Sequence, residues 1–360
     1  MKNKFHLYFF SFLAASLLIT SCKKDSNTIP DTPEDAINGV YILNEGLSGD
    51  GSELSYFDLQ TSKMQNDFFI TANPNTKLGS LANDIGIYGS KMYITVDGSN
   101  KVEVTDATTG KIIKTIDNII TKPRFVAFYG NHAFVSSYTD KVFAIDTATF
   151  AIQEIEVGRT PEQLVTSGDK IFVTNSGWAD YYFNGGVHDN TVSVIDGKTL
   201  KVIKTIEVAP NVDRIYADNN GHVYVNSETI YDVWPSVLHP SRLYVIDVNS
   251  LSVVKEFEYG AAFMAFHKDQ AYLFTKDDPS GETRFLEMNT TDFSTKDKPR
   301  FEESQTLYGL GVDPVSGDIW ISDAMEYIVN GNVYRFNVQT KTTETYEVRG
   351  LPSKFIFKKD

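Results

Sequence analysis

Disulfide bonds are the first thing this sequence lacks, because its 360 residues contain one cysteine, Cys22. A single thiol cannot form an internal cross-link, so packing and hydrogen bonds must hold the fold together. Positive charge is also scarce: 33 lysines and arginines stand against 47 aspartates and glutamates, for a net charge of −14. A chain this acidic is a poor partner for nucleic acid or an anionic lipid surface, and we expect no nucleic-acid partner.

Helical periodicity and catalytic motifs are absent as well. No long stretch repeats its apolar residues at a period of 3.6, which excludes a fold of alternating helices and strands. The chain has no His-Glu-x-x-His, no Gly-x-Ser-x-Gly, no phosphate-binding glycine loop and no cysteine–histidine cluster. We therefore expect a protein that is not an enzyme and that needs no cofactor or metal.

The longest apolar run lies at the N-terminus, over residues 7–20. It is too short to span a bilayer comfortably and is typical of the core of a signal peptide. It ends at Ile19-Thr20-Ser21-Cys22, which resembles a bacterial lipobox, in which the cysteine is acylated. We expect a lipoprotein signal peptide over residues 1–21 and lipidation at Cys22. Residues 22–38 are expected to form a flexible tether, with membrane contact through the lipid anchor only.

A unit of four short strands recurs from residue 39 onward. Each copy has a strand of the form Val-Tyr-Val-Thr, a variable loop, a strand ending in Asp or Asn, a turn, a third strand, a link and a fourth apolar strand. Copies recur every 40 to 51 residues, a period typical of β-propellers. The residues that end the second strand of each copy are Asp58, Asp106, Asp146, Asp196, Asp247, Asn289 and Asn337. Seven such residues predict an all-β, seven-bladed propeller of four-stranded blades over residues 39–360.

Two local features refine this prediction. In residues 191–208, apolar and polar residues alternate on both sides of Asp196-Gly197, which predicts a hairpin with a tight Asp-Gly turn. The repeats begin at Val40 without a preceding fourth strand, and they end with a fourth-strand phrase over residues 351–357. The C-terminal strand should therefore complete the first blade and remove the open sheet edge.

Propeller topology assigns the loops to two faces. The variable loops and the links between blades should share one face, and the short Asp/Asn and Gly turns the other. Residues 177–189 and 228–240 form long loops, and residues 323–331 a shorter one. Long loops on one face of a rigid scaffold usually carry function. Their aromatic residues either stack on a large, partly polar ligand or pack on each other to hold the loops down.

The first residues of the innermost strands should form two rings at the mouth of the central channel on the same face. The first ring is Asn83, Arg124, Glu162, Asp213, Ala262, Tyr308 and Ser353. The second is Asp84, Phe125, Gln163, Arg214, Phe263, Gly309 and Lys354. The rings either bind a ligand or ion, or line a water-filled channel whose mixed charges pair with each other. The candidate ligand-binding residues are Arg124, Tyr138, Gln163, Trp178, Tyr181, Tyr182, Phe183, Tyr231, Trp234, Tyr308 and Tyr327.

Seven short phrases resemble a known group of propellers. They are Leu43-Asn44-Glu45-Gly46, Leu54-Ser55-Tyr56-Phe57-Asp58, Pro123-Arg124-Phe125, Glu162-Gln163-Leu164, Tyr308-Gly309-Leu310, Asp323-Ala324-Met325-Glu326-Tyr327 and Gly331-Asn332-Val333-Tyr334-Arg335. The chain resembles the YncE-like seven-bladed propellers, and more closely the surface-layer or DUF5074-type surface lipoproteins of Bacteroidota. The resemblance covers the chain from about residue 39 to its end. Among its best-understood members are the cobalamin-capturing lipoproteins of the BtuG type.

This resemblance implies a lipoprotein anchored in the outer membrane and exposed at the cell surface. Such a protein captures a scarce nutrient, here cobalamin or another corrinoid, and passes it to a TonB-dependent transporter. The residues agree in kind, because a face rich in Tyr, Trp, Asn and Gln suits an amphipathic molecule edged with amides. The alternatives are capture of a siderophore or another ligand, a purely structural surface protein, and a lactonase- or lyase-type propeller. The last would need a channel metal on Asp84, Glu162 and Asp213, and the cations of the same rings disfavour it.

Overall fold

The computed structural model describes residues 37–47, 51–232, 236–276, 282–299, 304 and 306–359. The expected signal peptide, Cys22 and most of the tether lie outside these residues, as does Trp234. The described part of the chain is mostly strand, and its one α-helix is five residues long. No helix in this part has the length and apolar character needed to cross a membrane.

The described strands form seven four-stranded antiparallel sheets arranged as the blades of a propeller. Blades 1 and 2 contain β1 (Ile37–Asn44), β2 (Glu53–Asp58), β3 (Lys63–Gln65), β4 (Ala82–Tyr88), β5 (Lys91–Val96), β6 (Lys101–Asp106) and β7 (Ile112–Asp117). The helix α1 (Phe68–Ala72) lies in the link between them. Blades 3 and 4 contain β8 (Pro123–Tyr129), β9 (His132–Ser137), β10 (Lys141–Asp146), β11 (Ile152–Glu156), β12 (Pro161–Ser167), β13 (Lys170–Asn175), β14 (Thr191–Asp196) and β15 (Lys201–Glu207).

The remaining blades follow the same order. Blade 5 contains β16 (Val212–Ala217), β17 (His222–Ser227), β20 (Arg242–Asp247) and β21 (Ser252–Phe257), with a small hairpin, β18 (Ile230–Tyr231) and β19 (Val237–His239), inside its long loop. Blade 6 contains β22 (Gly260–His267), β23 (Gln270–Lys276), β24 (Phe285–Asn289) and β25 (Thr295–Asp297). Blade 7 contains β26 (Leu307–Val312), β27 (Ile319–Asp323), β28 (Asn332–Asn337) and β29 (Thr342–Glu347).

The last strand, β30 (Pro352–Lys359), pairs with β1 and is the innermost strand of blade 1. The predicted closure of the ring is therefore confirmed. Apolar side chains reinforce it at the junction of blades 7 and 1, where Trp320 packs with Phe57 and Phe355. Elsewhere the core also lies between adjacent blades, as where Tyr93 of blade 2 packs with Val135 and Phe143 of blade 3. Burial between neighbouring blades supplies the main stabilising force of the ring.

Counted from the innermost strand, the Asp or Asn turns follow the third strand of each blade. In blade 4 this turn differs from the tight Asp-Gly turn that was predicted. In blade 4, β14 ends at Asp196 and β15 begins at Lys201, so four residues connect them. Asp196 Oδ1 accepts the backbone N–H groups of Lys198 and Thr199 at 3.0 and 2.7 Å, and the positive φ falls on Leu200. The short Asp side chain caps the turn, so the glycine at Gly197 does not need a left-handed conformation.

The same turn occurs in all seven blades. In each, the Asp or Asn side-chain oxygen accepts the N–H groups two and three residues later. These seven residues were predicted as the ends of strands, and the structure gives them the role of closing the turn.

Candidate functional site

The antiparallel order of each blade defines two faces of the propeller. The loops between second and third strands and the links between blades share one face, named here the long-loop face. The Asp/Asn turns share the other, named the short-turn face. A central channel of about 1280 Å³ opens among the innermost strands β4, β8, β12, β16, β22, β26 and β30. All members of the two predicted rings line it except Gly309.

Backbone bulges explain why two successive residues of one strand both face the channel. In β8, β12 and β16 the pairing register with the next strand shifts at Pro123/Val126, Pro161/Leu164 and Val212/Ile215. Similar shifts occur near the start of β4, β22 and β26. A bulge leaves extra residues unpaired and turns their side chains away from the regular alternation. It therefore brings pairs such as Asp213 and Arg214 to the channel together.

Buried hydroxyls hold these bulges in place. Ser136 Oγ accepts the N–H of Phe125 at 3.0 Å and donates to the carbonyl of Glu162, in the next blade, at 2.6 Å. Thr174 Oγ1 makes the equivalent bonds, accepting from Gln163 N and donating to Asp213 O. Each hydroxyl forms one hydrogen bond with a backbone group of its own blade and one with a backbone group of the next blade. These bonds link adjacent blades at the channel mouth.

These residues were not predicted as part of the site, although their pattern is visible in the sequence. The second strand of every blade has a fully buried polar side chain at one of its last two positions, and in four blades both positions are of this kind. One such residue from each blade is Asn44, Thr95, Ser136, Thr174, Asn226, Thr275 and Ser322. A polar residue repeated at the end of an apolar strand predicts a conserved hydrogen-bonding task within the repeat, which could have been inferred from the Val-Tyr-Val-Thr phrase.

One side of the mouth is organised around Arg124. Its guanidinium contacts Asp97 Oδ2 at 2.6 Å and Glu162 Oε1 at 2.5 Å, and it stacks 4.5 Å from the ring centroid of Tyr138. The Tyr138 hydroxyl donates to Glu162 Oε2 at 2.5 Å. Burial and the adjacent Glu162 charge raise the pKa of Tyr138, so its hydroxyl stays protonated as a donor. These contacts fix Arg124 and Tyr138 in one rigid cluster.

A second charged cluster lies around blade 5. Arg214 Nε is 3.4 Å from Asp213 Oδ2, and its guanidinium stacks 4.4 Å from the centroid of Phe263. Burial and the nearby charge of Glu228 raise the pKa of Asp213, because two carboxylates at one place disfavour a second negative charge. Glu228 in turn forms an ion pair with Lys276.

The carboxylates once considered as metal ligands are each engaged by a cation. Asp84 is 3.0 Å from Lys354 Nζ, Glu162 contacts Arg124, and Asp213 contacts Arg214. Among the residues that the structure describes, no three His, Cys, Asp or Glu side chains form a cluster that could hold a metal ion. These three carboxylates of the channel lining are therefore paired with cations of the same rings.

The third side of the mouth is formed by Tyr308, Tyr327 and Glu45. The Tyr308 hydroxyl donates to Glu45 Oε2 at 2.8 Å, and the rings of Tyr308 and Tyr327 meet edge to face at 5.8 Å. Burial raises the pKa of Glu45, and the hydrogen bond from Tyr308 opposes that rise. Glu45 follows β1 and belongs to the Leu-Asn-Glu-Gly phrase, but it was not predicted as a site residue.

Tyr327 is held by an unusual backbone. Met325, Glu326 and Tyr327 have φ values of 46°, 58° and 66°, three successive left-handed residues without glycine. Asp323 is fully buried and stabilises the turn, because its Oδ1 accepts hydrogen bonds from the N–H groups of Thr306 and Met325. Each such residue costs on the order of 1 kcal/mol, a strain that persists only where the surroundings enforce it.

The aromatic residues of the long loops behave differently from one another. Tyr181 packs 4.4 Å from the ring of His188, while Tyr182 and Phe183 are 90% and 94% exposed and Trp178 is 62% exposed. Arg159 holds this loop through Asp180 and the carbonyl of Val187. Tyr231 is exposed at 38% on the hairpin of the neighbouring loop. Most of these described aromatic side chains therefore face solvent and do not pack the loops down.

The predicted site residues thus fall into two groups in the structure. Arg124, Gln163, Tyr308 and Tyr327 line the channel, and Tyr138 packs on Arg124 beside it. The loop residues Trp178, Tyr181, Tyr182, Phe183 and Tyr231 do not line the channel and stand on the same long-loop face. Gln163 also has a structural contact, because its Oε1 accepts the N–H of Ile215 in the next blade at 3.2 Å.

Comparisons with solved structures identify the fold alone, since the similar structures named here are at most 15% identical to this chain. A quinoprotein alcohol dehydrogenase-like protein from Bacteroides thetaiotaomicron is 13% identical, with 89% of this chain and 78% of that one covered and a TM-score of 0.65. The Pan2 WD40 domain from Neurospora crassa is 14% identical, with 90% and 88% covered and a TM-score of 0.58. Hydrazine synthase from Kuenenia stuttgartiensis is 15% identical, with 71% and 76% covered and a TM-score of 0.56.

Comparison by sequence gives one result. Residues 38–358 match the family described as "Domain of unknown function (DUF5074)". A search of curated protein sequences finds no relative.

Proposed function

The chain belongs to the DUF5074 family, and from that premise we propose that it is a surface lipoprotein that captures a corrinoid such as cobalamin and passes it to a TonB-dependent transporter. The proposal excludes bond chemistry: the propeller binds and releases its ligand unchanged. The observation that carries it is the central channel of about 1280 Å³, whose mouth on the long-loop face is lined by polar, charged and aromatic groups.

The size of the channel and the chemistry of its mouth support a large amphipathic ligand. Small-molecule pockets usually measure about 300–1,000 Å³, so this channel can receive an unusually large molecule, at least in part. Tyr308, Tyr327 and Phe263 offer apolar ring surface, and Arg124, Glu45 and Gln163 offer donors and acceptors. A corrinoid matches this combination, since it presents an apolar macrocycle surrounded by carboxamide groups.

The exposed aromatic loops support the second half of the proposal. Trp178, Tyr182 and Phe183 stand exposed on the same face as the channel mouth, together with Val237 and Leu238 of the neighbouring loop. Exposed apolar side chains grouped on one face are typical of a surface that meets a partner. A transporter docked there would meet the ligand at the site where it is held. The lipid anchor at Cys22 would keep the propeller at the membrane that contains the transporter.

Purification of the full-length lipoprotein from its native outer membranes tests this function. We expect a TonB-dependent transporter to co-purify, and the visible absorption spectrum of the complex to contain corrinoid bands. Recovery of the lipoprotein with another small molecule and without corrinoid bands would contradict the proposed ligand. Recovery without a transporter, under conditions that preserve other outer-membrane complexes, would contradict the delivery role.

A further inference from the structure

The charges that line the channel differ in how fully they are neutralised. Arg124, Arg214, Lys276 and Lys354 each form an ion pair with a described carboxylate. Glu45 is the exception among the described carboxylates of the channel lining, since no described Lys, Arg or His lies within ion-pair distance of it. Its carboxylate accepts a hydrogen bond from the Tyr308 hydroxyl. A carboxylate accepts up to about four hydrogen bonds, so Glu45 keeps acceptor capacity toward the channel.

Arg214 has the complementary property. A guanidinium carries about five N–H donors in a fixed plane. The described partners of Arg214 are Asp213 Oδ2 and the hydroxyl of Tyr216, with Phe263 beneath the guanidinium plane. Its donors outnumber these partners, and 29% of its side chain remains exposed. Because Arg214 lines the channel, donors are available there for a ligand.

The ring places these two groups apart. Glu45 belongs to blade 1 and Arg214 to blade 5, with blades 6 and 7 between them on the shorter way round. Both residues nevertheless line the same channel space. A ligand that engages both must span the channel, with an N–H group at one edge and a carbonyl oxygen at another.

Resting on the function proposed above, we propose that Glu45 and Arg214 form a two-point subsite for peripheral carboxamide groups of the ligand. Glu45 accepts an amide N–H, and Arg214 donates to an amide carbonyl on another edge. Tyr308 orients the Glu45 carboxylate, and Tyr327 packs against Tyr308. Phe263 orients the guanidinium from below. The strained turn at residues 325–327 is accordingly a positioning element, because it sets Tyr327 beside Tyr308.

Titration of the full-length chain with cyanocobalamin tests the subsite through two conservative variants. Glu45→Gln removes the charge and keeps the shape, and Arg214→Lys keeps the charge and removes the planar fork of donors. Each should weaken binding about tenfold, since a hydrogen bond to a charged group is stronger than one between neutral groups. Glu344→Gln on the outermost strand β29 and Arg242→Lys on the third strand of blade 5 are the matched controls, because neither residue lines the channel, and both should bind as the wild type does.

A ligand analogue separates recognition from a merely structural effect. A cobalamin monocarboxylate replaces one peripheral amide with a carboxylate, which Glu45 should repel. Among the monocarboxylate isomers, at least one should bind the wild type more weakly than cyanocobalamin does, and Glu45→Gln should reduce that difference. Unchanged cyanocobalamin affinity in both variants would overturn the subsite while leaving the proposed function intact.

A small amide probe covers the case in which the wild type fails to bind cyanocobalamin, which would contradict the proposed function. Adipamide is then titrated while the tyrosine side-chain NMR signals of the full-length chain are followed. Saturable shifts of the Tyr308 and Tyr327 signals that disappear in Glu45→Gln would support the subsite. No such shifts in the wild type, or equal shifts in Glu45→Gln, would overturn it.

Discussion

At the scale of single residues, the channel mouth depends on side chains that no ligand needs to touch. Ser136 and Thr174 are fully buried and each links backbone groups of two blades. The sequence shows them only as the polar end of an apolar strand. Their task was not predictable from it, because a bulge depends on the pairing register of two strands and a single strand pattern does not specify that register.

Replacing Thr174 by Val removes the hydroxyl while keeping the volume and the β-branched shape. Gln163 N and Asp213 O would each lose a hydrogen-bond partner. A buried unsatisfied group costs about 1–3 kcal/mol, so we expect the free energy of unfolding to fall by about that amount. Urea denaturation measures it, with exposed Thr343→Val as the matched control. If the free energy of unfolding fell no further than in the control, Thr174 would not stabilise the contact between the two blades.

The Asp/Asn turns predict that the stability of the protein depends on pH. Backbone and side-chain hydrogen bonds from Thr149 lower the pKa of Asp146 to about 2, below its ordinary value of about 3.9 in an unfolded chain. The stabilising contribution of this carboxylate is therefore complete above pH 4 or so and is lost as the pH falls toward about 2. Asn at Asn289 and Asn337 closes the same turn without a charge.

Asp146→Asn should therefore be less stable than the wild type near neutral pH, and the gap should narrow in acid. Urea midpoints of both proteins, measured from about pH 6 down to about pH 3, give the comparison. A gap that stays constant across this range would show that the Asp146 charge does not contribute through its hydrogen bonds.

At the scale of strands and loops, the sequence predicted element order better than element geometry. The alternation around Asp196 correctly predicted the paired strands, because a buried face requires a period of two. The Asp-Gly dipeptide predicted a tight turn, and the structure shows that four residues connect the strands and that the Asp side chain closes the turn. The left-handed residues 325–327 were unpredictable, because those residue types disfavour the conformation and Asp323, which holds the turn, also accepts a hydrogen bond from the distant Thr306.

The loop over residues 177–189 depends on Arg159. Arg159→Ala removes the ion pair with Asp180 and the bond to the carbonyl of Val187. Since such partly exposed contacts contribute about 0–1 kcal/mol, the melting temperature should change little while the loop opens more often. Hydrogen exchange should accelerate in residues 177–189 and remain unchanged with Arg242→Ala. Unchanged exchange in the loop would show that other contacts hold it.

The closure of the ring by β30 can be tested with two Phe→Ala substitutions. Phe355 is 6% exposed and packs beside Trp320 at the junction of blades 7 and 1, whereas Phe183 is 94% exposed. Phe355→Ala should lower the free energy of unfolding by about 3–5 kcal/mol, because it leaves a cavity at the closure. Phe183→Ala should change it by less than about 0.5 kcal/mol. Equal effects in chemical denaturation would contradict this account of the closure.

At the scale of the whole molecule, the repeat alone was enough to predict seven blades, two faces and the ring of residues around the channel. Periodicity suffices for this because each blade can bury its apolar residues only against its neighbours. The role of Glu45 was not predictable in the same way. It lies outside the innermost strands, and only the closed ring brings it to Tyr308, 263 positions away in the chain. Contacts of that separation depend on the complete fold.

The central claim is that the channel mouth on the long-loop face binds a corrinoid. Calorimetric titration of the full-length chain with cyanocobalamin tests it most directly, together with the visible spectrum of the mixture. The account predicts saturable binding at one molecule per chain, with a dissociation constant in the micromolar range or tighter and a shift of the corrin bands. Absence of heat and of any spectral change at micromolar protein would contradict it.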